Sequence, residues 1–248
     1  MTGSNTIVLI SGANRGLGRG LLEKYLAQPN HIVIAANRAP NPTTAKEFQS
    51  LPSGAGSKVI VVKLDATVTE DAFDAVRELQ SEGIQHLDTV IANAGFSFSF
   101  PAVKDLKPDD MQKHLVPNVY GVVSLYRATR DLLNKAAGPK FITMGSSAGW
   151  LENQHPVSNA AYGPTKAAVH WLTKRMNGEE DKITAFVMEP GFVQTDMGNK
   201  GAKAIGFGDM APLPVEDSVS GMKKVIDAAT KESHGGKLWG WDGEKQQW

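Results

Sequence analysis

The stretch that decides the fold is TIVLISGANRGLG, residues 6–18, in which an apolar run passes directly into a turn with three glycines. A strand, a glycine-rich turn and a helix in this order form the first βα unit of a dinucleotide site. We expect Gly12 to permit a tight turn. Gly16 and Gly18 would let the backbone approach a pyrophosphate at the helix N-terminus. A tight βα turn without a ligand needs the same glycines, so the assignment depends on the rest of the chain.

Short apolar runs recur along the chain, each rich in Val and Ile and bounded by Gly, Pro, Asn or Asp. Apolar residues on both faces of a strand indicate burial on both faces, as in parallel sheets. The alternation of these runs with helical patterns predicts an α/β fold over residues 1–248. That fold is a single-domain doubly wound parallel sheet (Rossmann fold) with helices on both faces. The six runs are TIVLIS, HIVIAAN, KVIVVKL, LDTVIANAG, KFITMGS and KITAFVMEP.

Two segments show the helical pattern clearly. Residues 15–28 place four leucines on one face, and the next helix repeats the pattern after Thr69, its expected N-cap. The apolar positions are Leu17, Leu21, Leu22 and Leu26 in the first segment, and Phe73, Val76 and Leu79 in the second. The least regular stretch is 196–214, where Gly and Pro interrupt apolar residues. We expect a loop or substrate lid there, because long structureless segments in compact domains are usually functional.

The composition excludes several classes of function. Lys+Arg and Asp+Glu both number 26, so a balanced charge gives no indication of nucleic acid or an anionic membrane surface. The chain contains no cysteine, which excludes disulfides and thiolate chemistry. No His, Asp or Glu cluster has the spacing of metal ligands, so no metal is predicted. Without a signal-peptide pattern or a membrane-length apolar run, we expect a cytoplasmic protein that does not bind membranes.

Four motifs, in order, resemble those of the short-chain dehydrogenases/reductases over nearly the whole chain. They are SGANRGLG at 11–18, with Ser11 where the family has Thr; NAG at 93–95, with Ala92 where it has Asn; YGPTK at 162–166; and PGFVQTDM at 190–197. The long interval between Ser146 and Tyr162 and the C-terminal WDGEKQQW narrow the resemblance. Both features resemble those of the fungal norsolorinic acid ketoreductase-type enzymes and of related small carbonyl reductases.

Tyr162 and Lys166 stand at i and i+4, so a helix would place them on one face. The motif alone is also found on solvated helices, but the resemblance places it at the catalytic centre. There the lysine ammonium would lower the pKa of the tyrosine phenol toward neutrality. The resemblance also implies a serine at the end of the fifth strand that hydrogen-bonds the substrate carbonyl. Aligning the trailing glycine gives Ser146, with Ser147 as the competitor.

The resemblance gives Asn118 a further catalytic role in a kinked helix, where it would hold a water that relays protons to the lysine. Pro117 precedes it and would disrupt the helical hydrogen bonding. It also implies that the cofactor is a nicotinamide dinucleotide. The residues expected to contact it are Gly12, Asn14, Arg15, Gly16, Leu17, Gly18, Asn37, Arg38, Asp65, Ala66, Asn93, Ala94, Gly95, Tyr162, Lys166, Pro190, Val193 and Thr195. Asp65 has an alternative role as the cap of the following turn.

The cofactor is expected to be NADP(H). NAD-selective enzymes place an acidic residue near the end of the second strand to bind the ribose 2′-hydroxyl. HIVIAANRAP has no such residue but contains Asn37 and Arg38. Arg15, in the glycine turn, should face the same ribose, and two guanidinium groups suit a 2′-phosphate.

An alternating aromatic stripe, Phe96, Phe98 and Phe100, follows NAG at the edge where ligands bind in doubly wound sheets. Such a stripe is more often core than pocket. We expect other apolar residues to converge on the same edge, namely Trp150, Leu151, Met197, Ile205, Phe207 and Met210. We take Phe96, Phe98, Trp150 and Met197 as the substrate contacts. An aromatic cleft of this kind suits a bulky, flat carbonyl compound.

The sequence therefore predicts an NADPH-dependent reductase that converts a bulky aromatic or polyketide-like ketone or aldehyde to an alcohol. Its partner would be that small molecule and not nucleic acid, and the resemblance implies a homodimer or homotetramer. One alternative is a non-catalytic dinucleotide-binding sensor or scaffold, which would need none of the three catalytic side chains. Another is an epimerase or dehydratase, but those carry a larger C-terminal substrate domain.

Overall fold

The strands form one eight-stranded sheet in the computed structural model, which describes residues 5–248. They are β1 (Thr6–Ser11), β2 (His31–Asn37), β3 (Lys58–Lys63), β4 (Thr89–Ala92), β5 (Lys140–Met144), β6 (Thr184–Glu189), β7 (Leu238–Gly240) and β8 (Lys245–Gln246). Their spatial order is β3-β2-β1-β4-β5-β6-β7-β8. The first seven pair in parallel, whereas β8 pairs antiparallel with β7.

The helices are α1 (Gly16–Leu26), α2 (Pro42–Gln49), α3 (Thr69–Ser81), α4 (Pro108–Leu115), α5 (Gly121–Leu133), α6 (Gly163–Glu179), α7 (Asp196–Ala204), α8 (Val215–Ala228) and α9 (Lys231–His234). A π-helical turn, Val116–Tyr120, joins α4 to α5, and a short 3-10 turn, Ser147–Gly149, follows β5. None of the described helices is long and apolar enough to cross a membrane.

The core lies on both faces of the sheet because the buried strands are apolar on both faces. Along β1, Ile7 and Leu9 pack with residues of α3, α5 and α6, whereas Val8 and Ile10 pack with residues of α1 and α8. Full burial of side chains of this size contributes roughly 1.5–3 kcal/mol each. The doubly wound Rossmann fold predicted from the sequence is thus confirmed.

The position of β1 determines where a ligand can bind. This strand lies between β2 and β4. The chain builds one half of the sheet with β2 and β3 and then crosses to the other side of β1 to form β4 and the strands after it. In doubly wound sheets, such a switch point opens a crevice outside the carboxyl ends of the strands. The glycine turn that follows β1 lies directly at this crevice.

Three details differ from the sequence-based expectations. Residues 196–214 are not a structureless loop, since α7 occupies Asp196–Ala204, with the Thr195 side chain as its N-cap. Thr69 is the first residue of α3 and does not cap it; Val68 occupies the N-cap position, without a side-chain hydrogen bond. The strands β7 and β8 were not predicted, because two- and three-residue strands are too short to show a periodic pattern.

Candidate active site

A cleft with a volume of about 1870 Å³ runs along the carboxyl ends of the strands. It brings together most of the residues selected from the sequence. Those that line it are Gly12, Asn14, Arg15, Gly16, Leu17, Asn37, Arg38, Asp65, Ala66, Asn93, Ala94, Gly95, Phe96, Phe98, Phe100, Ser146, Ser147, Tyr162, Lys166, Pro190, Val193, Thr195, Met197, Ile205 and Phe207. The selected residues outside its lining are Gly18, Asn118, Trp150, Leu151 and Met210.

The glycine turn is built for close packing at its base. Gly12 has φ +67°, a conformation that side chains disfavour. A Cβ on Gly18 would lie 2.3 Å from the Gly12 carbonyl oxygen and 2.6 Å from Nδ2 of Asn93. Gly18 therefore does not face the cleft, contrary to the expectation from the sequence. It allows α1 to pack against the turn.

The turn is tied to the end of β4 by two side chains. The Ser11 hydroxyl accepts hydrogen bonds from the backbone N–H groups of Asn93, at 3.1 Å, and Ala94, at 3.0 Å. The Asn93 side chain donates back to the carbonyl oxygens of Ser11, at 2.8 Å, and Gly12, at 3.2 Å. A serine at position 11 thus supplies the hydroxyl that the family's usual threonine would supply.

The glycine end of the cleft has features that fit a dinucleotide. No side chain caps the N-terminus of α1, and its first turn carries no acidic residue, so its N–H groups can face an anion. Asn37, at the end of β2, is 3% exposed, and both polar atoms of its amide are buried without a hydrogen-bond partner. Buried polar groups are normally paired, and residues 5–248 supply no partner for the Asn37 amide, so a ligand group is expected to pair with it.

The two arginines selected for the 2′-phosphate stand at this end of the cleft. Arg15 Nη1 lies 3.2 Å from Oδ2 of Asp196, and both side chains are exposed. Such a surface pair contributes about 0–1 kcal/mol, so a phosphate can displace Asp196 at little cost. Arg38 is exposed, directly after the buried Asn37. Asp65 does cap the next turn, since its Oδ1 accepts from the Thr67 backbone N–H at 2.9 Å, and it also lines the cleft.

The loop after β5 wraps around His170, a residue that sequence reasoning missed. The Ser146 backbone N–H donates to His170 Nε2 at 3.3 Å. A Cβ on Gly145 or Gly149 would come within 2.7 or 2.9 Å of the imidazole, so glycines at these positions make room for it. Burial, with a smaller effect of the nearby Lys166 ammonium, lowers the pKa of His170 to about 3. The ring therefore remains a neutral hydrogen-bond acceptor.

Tyr162 and Lys166 lie at the start of α6, and both are withdrawn from water. Burial raises the pKa of Tyr162 well above its ordinary value, while a hydrogen bond with the Ser146 side chain lowers it and the Glu189 charge raises it further. Lys166 Nζ donates to the Met144 carbonyl at 2.7 Å and lies 5.4 Å from the centre of the Tyr162 ring. The expected lowering of the tyrosine pKa by the lysine is therefore wrong for the protein alone. Burial dominates, and Tyr162 holds its proton.

Asn118 lies in the π-helical turn, directly after Pro117, and is 1% exposed. Its Oδ1 accepts from the Phe96 N–H at 2.9 Å, and its Nδ2 donates to the Phe96 carbonyl at 2.9 Å and to Thr165 Oγ1 at 3.2 Å. The side chain thus fixes the backbone after β4 to the start of α6. The proton-relay role of Asn118 stays a prediction.

An aromatic wall stands beside Tyr162. The Phe98 ring stacks on His114 with centroids 4.4 Å apart and planes 9° apart, and Phe96 stacks on Phe98 at 5.5 Å. His114 is fully buried, and its Nε2 accepts from the Phe98 N–H at 3.3 Å. Its Nδ1 faces the Asp110 carbonyl at 2.7 Å and so carries the proton. No sequence pattern marks His114, because its partners Phe96 and Phe98 lie in a different segment of the chain.

Trp150 does not reach this wall. Its side chain is absent from the cleft lining and instead lines a separate cavity of about 190 Å³ with Lys245, Gln246 and Trp248. Its ring stacks on His155, an exposed loop residue, at 5.7 Å. Leu151 and Met210 are 71% and 59% exposed and also lie outside the cleft. We therefore do not retain Trp150 as a substrate contact.

Comparison with known proteins identifies relatives of the whole chain. The family model for short chain dehydrogenases matches residues 6–205. The norsolorinic acid ketoreductase of Dothistroma septosporum is 39% identical over 98% of this chain and 92% of its own length. That of Aspergillus parasiticus is 38% identical over 93% of this chain and 86% of its own length. An NADPH-bound carbonyl reductase from chicken fatty liver superposes with a TM-score of 0.84 at 26% identity, covering 99% of this chain and all of its own.

The buried ammonium of Lys166 predicts a gain of stability when it is removed. Burial lowers its pKa from 10.5 to about 8, so the unfolded chain binds more protons between these values and stability rises with pH there. We expect Lys166→Met to stabilise the cofactor-free protein by about 1–3 kcal/mol near pH 7. Urea unfolding at several pH values from about 8 to about 10.5 measures this, because the parent should gain stability over that range while the variant should not. A less stable variant with the parent's pH dependence would contradict the assignment.

Proposed function

The chain belongs to the short-chain dehydrogenase family and is an oxidoreductase, and on that basis we propose that it reduces a bulky aromatic ketone or aldehyde with NADPH. A nicotinamide dinucleotide and a small-molecule carbonyl are the reactants that the family membership implies. One observation carries the proposal. Ser146, Tyr162 and Lys166 line the same cleft that begins at the glycine turn.

The three side chains have complementary roles in this proposal. The nicotinamide supplies a hydride when the cofactor is bound. Tyr162, which holds its proton because of burial, donates that proton to the carbonyl oxygen as it gains negative charge. Ser146 hydrogen-bonds the same oxygen, and its influence on the pKa of Tyr162 favours it over Ser147. Lys166 supplies the positive charge of the site from a fixed position against the Met144 carbonyl.

The preference for NADPH over NADH is argued from charge at the far end of the cleft. Arg15 and Arg38 both line it there, and neither side chain is held by a strong buried ion pair. A guanidinium group binds phosphate oxygens with charge-assisted hydrogen bonds, whereas an acidic residue at the end of β2, where Asn37 and Arg38 stand, would repel them. The NADPH-bound carbonyl reductase from chicken fatty liver supports the same assignment.

The substrate class is argued from the aromatic wall. Phe96 and Phe98 line the cleft beside Tyr162, and Met197 and Phe207 line it from α7 and the segment after it. Flat aromatic compounds gain both buried area and ring stacking against such a surface. The relatives named norsolorinic acid ketoreductases support a polyketide-like carbonyl compound. Residues 196–214 would act as a lid in this proposal.

The alternative function is a sensor or scaffold that binds the dinucleotide without chemistry. Such a protein needs neither a lysine ammonium kept away from water, which costs folding free energy at neutral pH, nor a tyrosine hydroxyl in the same cleft. Retention of both groups at the cleft favours catalysis.

Loss of the Tyr162 hydroxyl should abolish most of the chemistry. We expect Tyr162→Phe to fold and to bind NADPH normally, with kcat lower by roughly a hundredfold or more, because it lacks the positioned acid. NADPH oxidation with an aromatic ketone measures kcat, and nucleotide fluorescence measures binding. Ser147→Ala is the matched control and should stay near the parent, whereas Ser146→Ala should not. Near-full activity of Tyr162→Phe would show that the acid is assigned wrongly.

Reversing the charge at Arg38 should remove the cofactor preference. We expect the parent to have a higher kcat/KM with NADPH than with NADH. In Arg38→Asp the ratio should fall by roughly ten- to a hundredfold, since a charge-assisted contact becomes a repulsion. Arg77→Asp, an exposed reversal on α3, controls for net charge. Equal kcat/KM for the two cofactors in the parent would refute the preference.

Truncation of Phe98 should affect large substrates selectively. We expect Phe98→Ala to raise KM for a polycyclic aromatic ketone by roughly tenfold, since it removes contact area that small carbonyl compounds never use. Leu151→Ala is the control and should leave both KM values nearly unchanged, because Leu151 is exposed and lies outside the cleft. A parent enzyme that prefers acetone-sized or 2-oxo-acid substrates would contradict the proposed substrate class.

A further inference from the structure

Glu189, the last residue of β6, places a carboxylate in the lining of the catalytic cleft. Its Oε2 accepts a hydrogen bond from the Gly191 backbone N–H at 2.9 Å. The backbone N–H of Ser147 faces the same carboxylate from the loop after β5. Two loops of the site therefore orient this side chain, so its position is fixed before any substrate binds.

No cation neutralises Glu189. The two most buried acidic side chains of the described residues, Asp71 and Glu180, each have a partner: Lys63 Nζ lies 3.1 Å from Asp71, and Arg130 forms a two-point contact with Glu180. Within residues 5–248, Glu189 takes part in no salt bridge. A half-buried carboxylate without a cation destabilises the fold, which marks it as a candidate for binding.

The charge of Glu189 interacts with other groups of the cleft. Burial raises its pKa, the Gly191 and Ser147 N–H groups lower it, and Asp242, from the turn between β7 and β8, raises it again. Its charge in turn raises the pKa of Tyr162. The carboxylate therefore lies within electrostatic reach of the place where the carbonyl oxygen would be protonated.

We propose that Glu189 is a specificity-determining residue that accepts a hydrogen bond from a hydroxyl group on the aromatic substrate. This inference rests on the proposed function and deepens it, since it adds a hydrogen-bond donor to the substrate class. The aromatic wall of the same cleft is uncharged, which favours a neutral aromatic compound whose polar group is a phenolic hydroxyl. A carboxylate on the substrate at this place would be repelled, and a methyl ether would leave the Glu189 oxygen desolvated without a donor.

Matched pairs of ketones test this directly. The probes are ring-hydroxylated tetralones and their methyl ethers, one pair for each ring position, with kcat/KM measured for parent, Glu189→Gln and Glu189→Met. At one ring position or more, the parent should prefer the hydroxyl compound by roughly ten- to a hundredfold, the range for a hydrogen bond to a charged group. Glu189→Met should lose this preference, so that kcat/KM becomes equal for the two members of each pair. Glu189→Gln, which retains a neutral acceptor, should lie between them.

Two controls keep the result interpretable. Glu152→Gln removes an exposed acidic group outside the cleft and should leave the preference unchanged. Thermal unfolding and NADPH binding establish that each variant is folded, and if Glu189→Met does not fold, Glu189→Gln alone still tests the preference.

Three results would overturn the inference. They are equal kcat/KM within every pair in the parent, an undiminished preference in the folded variants, and a stronger preference for amino-substituted tetralones. A parent that reduces none of these ketones would instead contradict the proposed function.

Discussion

The reciprocal hydrogen bonds between Ser11 and Asn93 are the interaction on which the rest of the site depends. They fix the end of β1 to the end of β4, the two strands between which the crevice opens. From there the hydrogen-bonded connection continues to the start of α6. Asn118 holds the backbone after β4 and donates to Thr165, whose hydroxyl donates to the Tyr162 carbonyl at 2.7 Å. Because these links are side-chain contacts of defined length, the glycine turn and Tyr162 are placed relative to one another before any ligand binds.

The chemistry of the cleft comes from burial as much as from charge. Burial keeps the proton on Tyr162, lowers the pKa of Lys166 to about 8 and keeps His170 neutral beside the Ser146 backbone. The desolvated Lys166 ammonium costs stability at neutral pH and would not be retained for folding alone. Glu189 adds an unneutralised carboxylate to the same place. The site thus concentrates desolvated polar groups that a carbonyl substrate, its cofactor and a suitable hydroxyl can satisfy.

The sequence was sufficient for the sheet and for much of the cleft, because both follow from local patterns. Six apolar runs predicted six strands, and motifs at the strand ends must meet where parallel strands end. Properties that depend on distant neighbours were not predictable. Trp150 follows Ser146 closely in sequence, but its ring stacks on His155 and its side chain lines a cavity with residues of the C-terminus. His114 and His170 became recognisable only when the fold brought them to Phe98 and Ser146. The pKa of Tyr162 followed burial, which the Tyr–Lys spacing does not report.

The central claim is that this cleft transfers a hydride to a carbonyl carbon. The most direct measurement uses NADPH deuterated at C4 of the nicotinamide, in each of its two stereoisomers, with an aromatic ketone and the purified protein. Proton NMR of the alcohol then reveals whether deuterium has reached the carbinol carbon. We predict near-complete deuterium transfer from one stereoisomer and almost none from the other, because a fixed cleft presents one face of the cofactor. Turnover that leaves the carbinol carbon without deuterium from both stereoisomers would contradict direct hydride transfer.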